Sequence, residues 1–344
     1  MTTTASHILT VVDDQFRHHF TREDHFILAI SGGADSMALL AICHQLIPNR
    51  FLVVTIDHGL RSDSSLDTQM VAHFCKQKGI ECVVEHFDLP TVAKNQNLEA
   101  VARSHRYQIL EQYRQQHKAA AIITAHHHQD QLETQLMHLA RGCAILGLVG
   151  MVALNTQKIF RPLLAFEKTE LLSYARAHSI PWREDSTNTD QTYQRNRFRH
   201  HVLPLLTTTE LDQLHDQAQQ VEIITKELVH NWLSNNLQAN SKHHHFALGA
   251  WLSQPLFVQL EVLYHFLTTQ LGKENISATA IGHAHQWCLK ARKGSTFSHQ
   301  GQAVFFHEKT LIRILHSVEI QRAGPLSSQL ARVLSYPVES ALPF

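Results

Sequence analysis

The chain has 344 residues, which at about 150 residues per domain suggests two domains. It is 44% apolar and 17% charged, with 30 Lys+Arg against 30 Asp+Glu; this excludes a disordered polymer and gives no overall basic charge to signal a nucleic-acid partner. Histidine stands out at 28 residues, enough to make the chain strongly cationic below about pH 6. No apolar run reaches the roughly 18 residues of a membrane span, so no membrane partner is expected. The start, Met1 to Gln15, is polar and lacks the layout of a secretion signal. The five cysteines are odd in number and form no C-x-x-C, which favours reduced, buried thiols in a cytoplasmic protein over a disulfide framework or a zinc knuckle.

In chain order, the pattern predicts a strand at Phe26–Ile30, an apolar helix at Ala38–Ile47 and a buried strand at Phe51–Ile56. A helix at Ser65–Lys78 and a strand at Glu81–Phe87 follow. Next come a long helix at Leu98–His117, a strand at Ala119–Thr124 and a helix at Gln129–Leu139. A strand within Lys158–Leu164 and a helix at Lys168–His178 complete the series. Short β-rich runs alternating with helices predict an α/β fold, a doubly wound, mostly parallel sheet covered on both faces. After Pro204 the pattern becomes helical, at Glu210–Leu237, Gln254–Leu271 and Ala278–Leu289, with a small β element at Ala303–Phe306 and Leu311–Leu315. The expected organisation is a first domain over 1–207, a smaller, mainly helical domain over 208–318, and an irregular tail over 319–344. The tract His243–His245 is expected in a solvated loop.

The most informative segment is the turn Ser31-Gly32-Gly33-Ala34-Asp35-Ser36, between a strand and an apolar helix. Glycines let the backbone approach a ligand closely, and N–H groups at a helix start attract anions. Asp35 repels phosphate and makes sense as a Mg²⁺ ligand or as an acid at a helix N-terminus. The turn has neither the Lys of a Walker loop nor the spacing of a dinucleotide fingerprint. It resembles the pyrophosphate loop of the PP-loop ATP pyrophosphatase superfamily. That resemblance implies an ATP site made by Ser31, Gly32, Gly33, Ala34, Asp35 and Ser36, and cleavage of ATP between its α and β phosphates.

Further segments narrow the resemblance. Asp57-His58-Gly59-Leu60-Arg61 follows the second strand, where a doubly wound sheet holds its ligand. Glu99, Arg103, Arg106 and Tyr107 recur at helical spacing. His126, Asp130 and Glu133 fall at i, i+4 and i+7, so on a helix they share one face as a metal or general-base cluster. Arg195, Arg197 and Arg199 alternate with Tyr193 and Phe198 and suit phosphate and base contacts. Together with Arg141-Gly142 and Arg161-Pro-Leu-Leu164, these segments resemble the tRNA(Ile)-lysidine synthetase family from about Ile27 to Leu206. The resemblance implies an ATP-dependent, AMP-forming ligase that joins L-lysine to the wobble cytidine of the CAU anticodon of tRNA(Ile). The anticodon would then read AUA in place of AUG.

By that resemblance Asp35, Asp130, Glu133 and His126 are the catalytic candidates, Asp35 and Asp130 hold Mg²⁺, and His58 joins the ATP site. Arg103, Arg106, Arg195, Arg197 and Arg199 contact tRNA, with Lys290, Arg292 and Lys293 as further candidates. The acceptor of the lysine proton is Asp130, Glu133 or His126, a carboxylate being preferred. A homodimer is compatible with these features. Three departures stand out. Gln129 replaces the first acid of an Asp-Asp pair. Ala144 and Leu146 alter the Arg-Gly loop. The length leaves no room for the third domain of some members. The alternatives are another PP-loop tRNA-modifying ligase, or a non-catalytic nucleotide- or RNA-binding relative with a decayed site.

Overall fold

A computed structural model describes residues 2–59, 64–87, 98–140, 148–155, 157–184, 197–239, 244–271, 276, 278–299, 302–308 and 311–314. The chain divides into two compact units, one of residues 1–137 with 150–213, the other of residues 138–149 with 214–344.

The first unit is built on five parallel strands: β1 (Phe26–Ala29), β2 (Phe51–Asp57), β3 (Cys82–His86), β4 (Ala121–Ile123) and β5 (Ile159–Phe160), in the order β3-β2-β1-β4-β5. The strand β1 is central and is buried on both faces. Phe26 and Leu28 join one apolar cluster while Ile27 joins another, as alternation along a strand requires. Helices α2 (Ala34–Leu46), α3 (Ser64–Lys78), α4 (Leu98–Gln116) and α5 (His128–Ala140) lie between successive strands, and α6 (Lys168–Ala177) follows β5. In α2 the run Ser36 to Leu40 is buried together with Ile42 and Cys43, so this helix is apolar nearly all round and sits in the core. The predicted α/β alternation therefore holds, with ends shifted by a few residues.

One helix escapes the sequence patterns. The helix α1 (Thr2–His19) covers one face of the sheet through Ile8, Val12 and Phe16, spaced four apart on a single stripe. Phe16 and Phe20 meet Phe26 and Phe160 edge-on, with ring centroids 4.9–5.4 Å apart, a favourable aromatic geometry. The stripe is short and set among polar residues, which conceals it in the sequence.

A short π-helical turn (Phe198–Val202) and a 3₁₀ turn (Leu203–Leu205) precede α7 (Thr208–Asn236). The second unit adds α8 (Leu248–Leu252), α9 (Leu256–Leu271) and α10 (Ala278–Lys290). Its antiparallel sheet contains β6 (Gln238–Ala239), β7 (His244–Ala247), β8 (Thr296–His299), β9 (Gln302–Glu308) and β10 (Leu311–Ile314), in the order β6-β7-β10-β9-β8. Phe246, Trp251, Phe266, Phe305 and Ile312 form its core. The expectation of a His243–His245 loop is corrected: His244 and His245 lie in β7, paired with β10. Their register with Ile314 and Arg313 leaves Phe246 to face the core, a placement that the polar run hides. Among the described residues no helix is long and apolar enough to cross a membrane. The expected tail lies outside them.

Near the site, Gln131 of α5 anchors the chain that leads to β5. Its amide accepts the Met151 N–H at 2.7 Å and donates to the Met151 carbonyl at 3.0 Å. The preceding Gly150 has φ +77°, and a Cβ there would stand 2.8 Å from Gln131 Oε1. Left-handed backbone costs an ordinary residue about 1–2 kcal/mol before any clash. Gly150→Ala is therefore expected to lower stability by at least about 2 kcal/mol in urea unfolding. An unchanged midpoint would show that Gln131 moves aside at no cost.

Candidate active site

The order β3-β2-β1-β4-β5 reverses direction between β1 and β4, and such a switch point opens a crevice at the carboxyl ends of the strands. A cavity of about 300 Å³ lies there, lined from β1 by Ser31, Gly33, Asp35 and Ser36, and from β4 by Thr124, Ala125 and His126. The turn is ordered by its own hydroxyls. Ser36 donates from Oγ to the Gly33 carbonyl at 2.9 Å and accepts the Ser31 N–H at 3.3 Å. The Ser31 hydroxyl donates to Ser36 Oγ at 3.2 Å. Gly32 has φ +89°, and a Cβ on it would lie 3.2 Å from the Asp67 carbonyl of α3, so glycine is required both for conformation and for space. Ala34 begins α2, which directs the positive end of that helix at the cavity.

The acids come together differently from the predicted helix face. The helix α5 begins at His128, so His126 precedes it and shares no face with Asp130 and Glu133. His126 Nδ1 pairs with the Thr124 hydroxyl at 2.8 Å, and the ring lines the cavity. His127 links the two strand ends instead. Its Nε2 lies 3.6 Å from Asp35 Oδ2 and 3.4 Å from Asp130 Oδ2, and its backbone N–H donates to Asp130 Oδ2 at 3.0 Å. Burial disfavours a charge on this ring, but the carboxylates of Asp35 and Asp130 outweigh burial and raise its pKa. The triple His126-His127-His128 conceals which histidine turns inward, because spacing cannot resolve a break before the helix.

Glu133 is completely buried. Arg199, on the π-helical turn, donates from Nε to its Oε1 at 2.6 Å and from a terminal nitrogen to Oε2 at 3.1 Å. The same guanidinium lies 3.7 Å from Asp130 Oδ1. Glu133, expected among the catalytic acids, thus holds a bidentate arginine, and Arg199, expected on tRNA, reaches into the acid cluster. Among the described residues no group of three or more His, Cys, Asp or Glu is arranged to hold a metal by itself.

The β2 side of the cavity carries Asp57 and His58, and α4 contributes Arg106 and Tyr107. Asp57 accepts the Gly59 N–H at 2.9 Å and the Ser64 hydroxyl at 2.6 Å. Neither ring nitrogen of His58 has a hydrogen-bond partner among the described residues, although both are buried. Burial, then the charges of Arg106 and His105, hold its pKa down to about 4. Arg106 is therefore beside the cavity, while Arg103 lies 5.1 Å over the Tyr107 ring on an exposed part of α4. Arg197 is exposed. Arg195, the Glu99 side chain, Ala144 and Leu146 lie outside the described residues.

The depressed His58 pKa fixes a sign for stability. Below about pH 6.5 the unfolded chain protonates this ring, whereas the folded chain does not until about pH 4. Stability due to His58 is lost as pH falls from about 6.5 to about 4. His58→Gln is expected to show a smaller loss of urea midpoint between those limits than the wild type. Parallel curves would refute the assignment of a neutral, buried ring.

A chain from Bacillus licheniformis described as "tRNA(Ile)-lysidine synthase" is 36% identical over 210 residues, covering 58% of this chain and 44% of that protein. One of the same description from a Thermotoga species is 31% identical over 249 residues, covering 71% and 59%. The chain thus spans about half the length of these relatives. The solved structure of the U34-tRNA thiolase NcsA from Methanococcus maripaludis superposes with a TM-score of 0.51 at 14% identity, over 64% of this chain and 80% of that one, and supports the fold alone. The model of the PP-loop domain matches residues 2–206, which include the whole parallel sheet, the glycine-rich turn and the acid cluster, and the chain belongs to the PP-loop domain family.

Proposed function

We propose that this protein uses ATP to ligate L-lysine to the wobble cytidine of a tRNA(Ile) with a CAU anticodon, with release of pyrophosphate and AMP. The observation that carries the proposal is the meeting of Asp35 and Asp130 at His127, beside the glycine-rich turn that lines the same cavity. That arrangement suits a cationic amine next to an activated phosphate ester. The names of the lysidine synthase relatives support the same assignment.

In the first step the C2 oxygen of cytidine attacks the α-phosphorus of ATP, and the bond to the β-phosphate oxygen breaks. Backbone N–H groups of the turn bind the phosphates, where pre-set donors act without reorganisation. His58 and Arg106 line the same cavity and are the proposed contacts of the nucleoside. Asp35 Oδ1 is buried without a hydrogen-bond partner among the described residues, which fits a Mg²⁺ held by Asp35, since this ion binds through one or two carboxylates plus substrate phosphates. When bound, the ion supplies charge neutralisation for the leaving pyrophosphate.

In the second step the lysine ε-nitrogen bonds to C2 and AMP leaves. The free ammonium has a pKa of about 10.4, so roughly one molecule in two thousand is neutral at pH 7, a deficit of about 4–5 kcal/mol. A carboxylate that binds the ammonium and takes its proton answers this need. We assign that role to Asp130, because Glu133 is already committed to Arg199 and acts by positioning it. His126 bounds the space for the base. The exposed residues Arg103 and Arg197, with Lys290, Arg292 and Lys293 of the second unit, are the proposed tRNA contacts.

The test is transfer of labelled lysine to the CAU-anticodon tRNA(Ile) with ATP and Mg²⁺. The wild type is expected to form one AMP per lysine transferred, and Asp130→Asn to lose at least about a hundredfold in rate. Full lysidine formation by Asp130→Asn would remove that residue from catalysis. ATP binding by the wild type without transfer would favour the decayed-site alternative.

A further inference from the structure

Beyond α6, Arg183 touches the glycine-rich turn and its neighbouring helix at two points. Its backbone N–H donates to the Gly32 carbonyl at 3.0 Å. Its Nε donates to Asp67 Oδ1 at 2.6 Å. Asp67 belongs to α3 and lines the cavity, and its backbone carbonyl abuts Gly32. One residue therefore clasps the turn and the neighbouring helix together.

Two consequences follow from elementary geometry and charge. In a planar trans peptide the C=O and the following N–H point to opposite sides. With the Gly32 carbonyl tied to Arg183, the Gly33 N–H turns the other way, and Gly33 lines the cavity. Rotation of that peptide would present an oxygen to the phosphates in place of a donor. Second, an uncompensated Asp67 carboxylate at the cavity wall repels any phosphate brought beside it, and the guanidinium cancels that repulsion.

We propose that the Arg183 side chain is a positioning group for the phosphate site: it holds Asp67 and neutralises it for ATP, beside the Gly32–Gly33 peptide that the backbone N–H of the same residue, retained in any variant at 183, fixes with its N–H toward the ligand. The proposal rests on ATP being the ligand, as under the proposed function. The Arg183 side chain is 36% exposed and that of Asp67 15%. Pairs this close to the surface add little to stability, so the loss of Arg183 should be felt in binding more than in folding.

The experiment is calorimetric measurement of ATP affinity, with thermal unfolding in parallel, on the full chain. R183A is expected to weaken ATP binding about tenfold while its Tm stays within about 2 °C of the wild type. R183K, which restores the charge, is expected to recover most of the affinity. So is the double variant R183A/D67N, in which the uncompensated carboxylate is gone. A merely structural role predicts no recovery in the double variant, and that result would overturn the proposal. Equal affinities of wild type and R183A would overturn it as well. Absence of ATP binding by the wild type would instead overturn the proposed function, and this role with it.

Discussion

Parallel pairing of β1 with both β2 and β4 is the constraint on which the rest of the first unit depends. Because all three strands run the same way, their carboxyl ends open along one rim. Because β1 is buried on both faces, it carries no polar side chain from Phe26 to Ala29, and the first one, Ser31, comes just beyond the strand. The same holds for β4, where Ala121, Ile122 and Ile123 are buried and Thr124 and the histidines follow. The chemistry is thereby confined to the rim by the cost of burying polar groups in the sheet. The reversal of strand order then spreads the two connections apart and leaves room between them.

A cavity walled by acids needs its acids managed, and each here has a specific arrangement. Asp57 is engaged by a backbone N–H and a serine hydroxyl. Asp67 is held by Arg183. Asp130 takes the His127 N–H on one oxygen and has Arg199 near the other. Glu133 is buried, which a carboxylate tolerates only with a strong partner, and a bidentate arginine is that partner. Asp35 is the exception, with one oxygen buried and lacking a hydrogen bond among the described residues. The arrangement leaves negative character concentrated where a cation or an ammonium would sit, and reduces it where phosphate would lie.

The fold was legible where burial imposes a period. Apolar β-branched runs such as Phe51–Ile56 and the apolar helix after the glycines declare themselves, because a parallel sheet buried on both faces has no other composition available. The turn was legible because only glycine satisfies both its φ and its contact with Asp67. What stayed hidden depends on contacts distant in sequence. Nothing in Trp182-Arg183-Glu184 reveals a partner at Asp67, 116 residues away. Spacing suggested that His126 shares a helical face with Asp130, but the helix starts two residues later and turns His127 inward. Periodicity presupposes the element, so it misleads at an element's end. The same weakness hid β7, where polar histidines precede the single core residue Phe246.

The balance of 30 basic and 30 acidic residues is also partly explained by structure. Arg114 is paired with Glu111, Arg183 with Asp67, and Arg199 with Glu133. Such arginines cancel in the count and have internal work. Arg199 shows the consequence most clearly: its place in a basic, aromatic-flanked run suggests a phosphate contact, yet its guanidinium is spent on a buried carboxylate. An RNA partner would have to be held by cations without such partners and by residues that gain charge on demand. The histidines do not form one reservoir for that purpose. Burial holds His58, His265 and His285 below their ordinary pKa, while two carboxylates raise that of His127. A fall in pH therefore charges His127, between its two carboxylates, before it charges the rings that burial holds down.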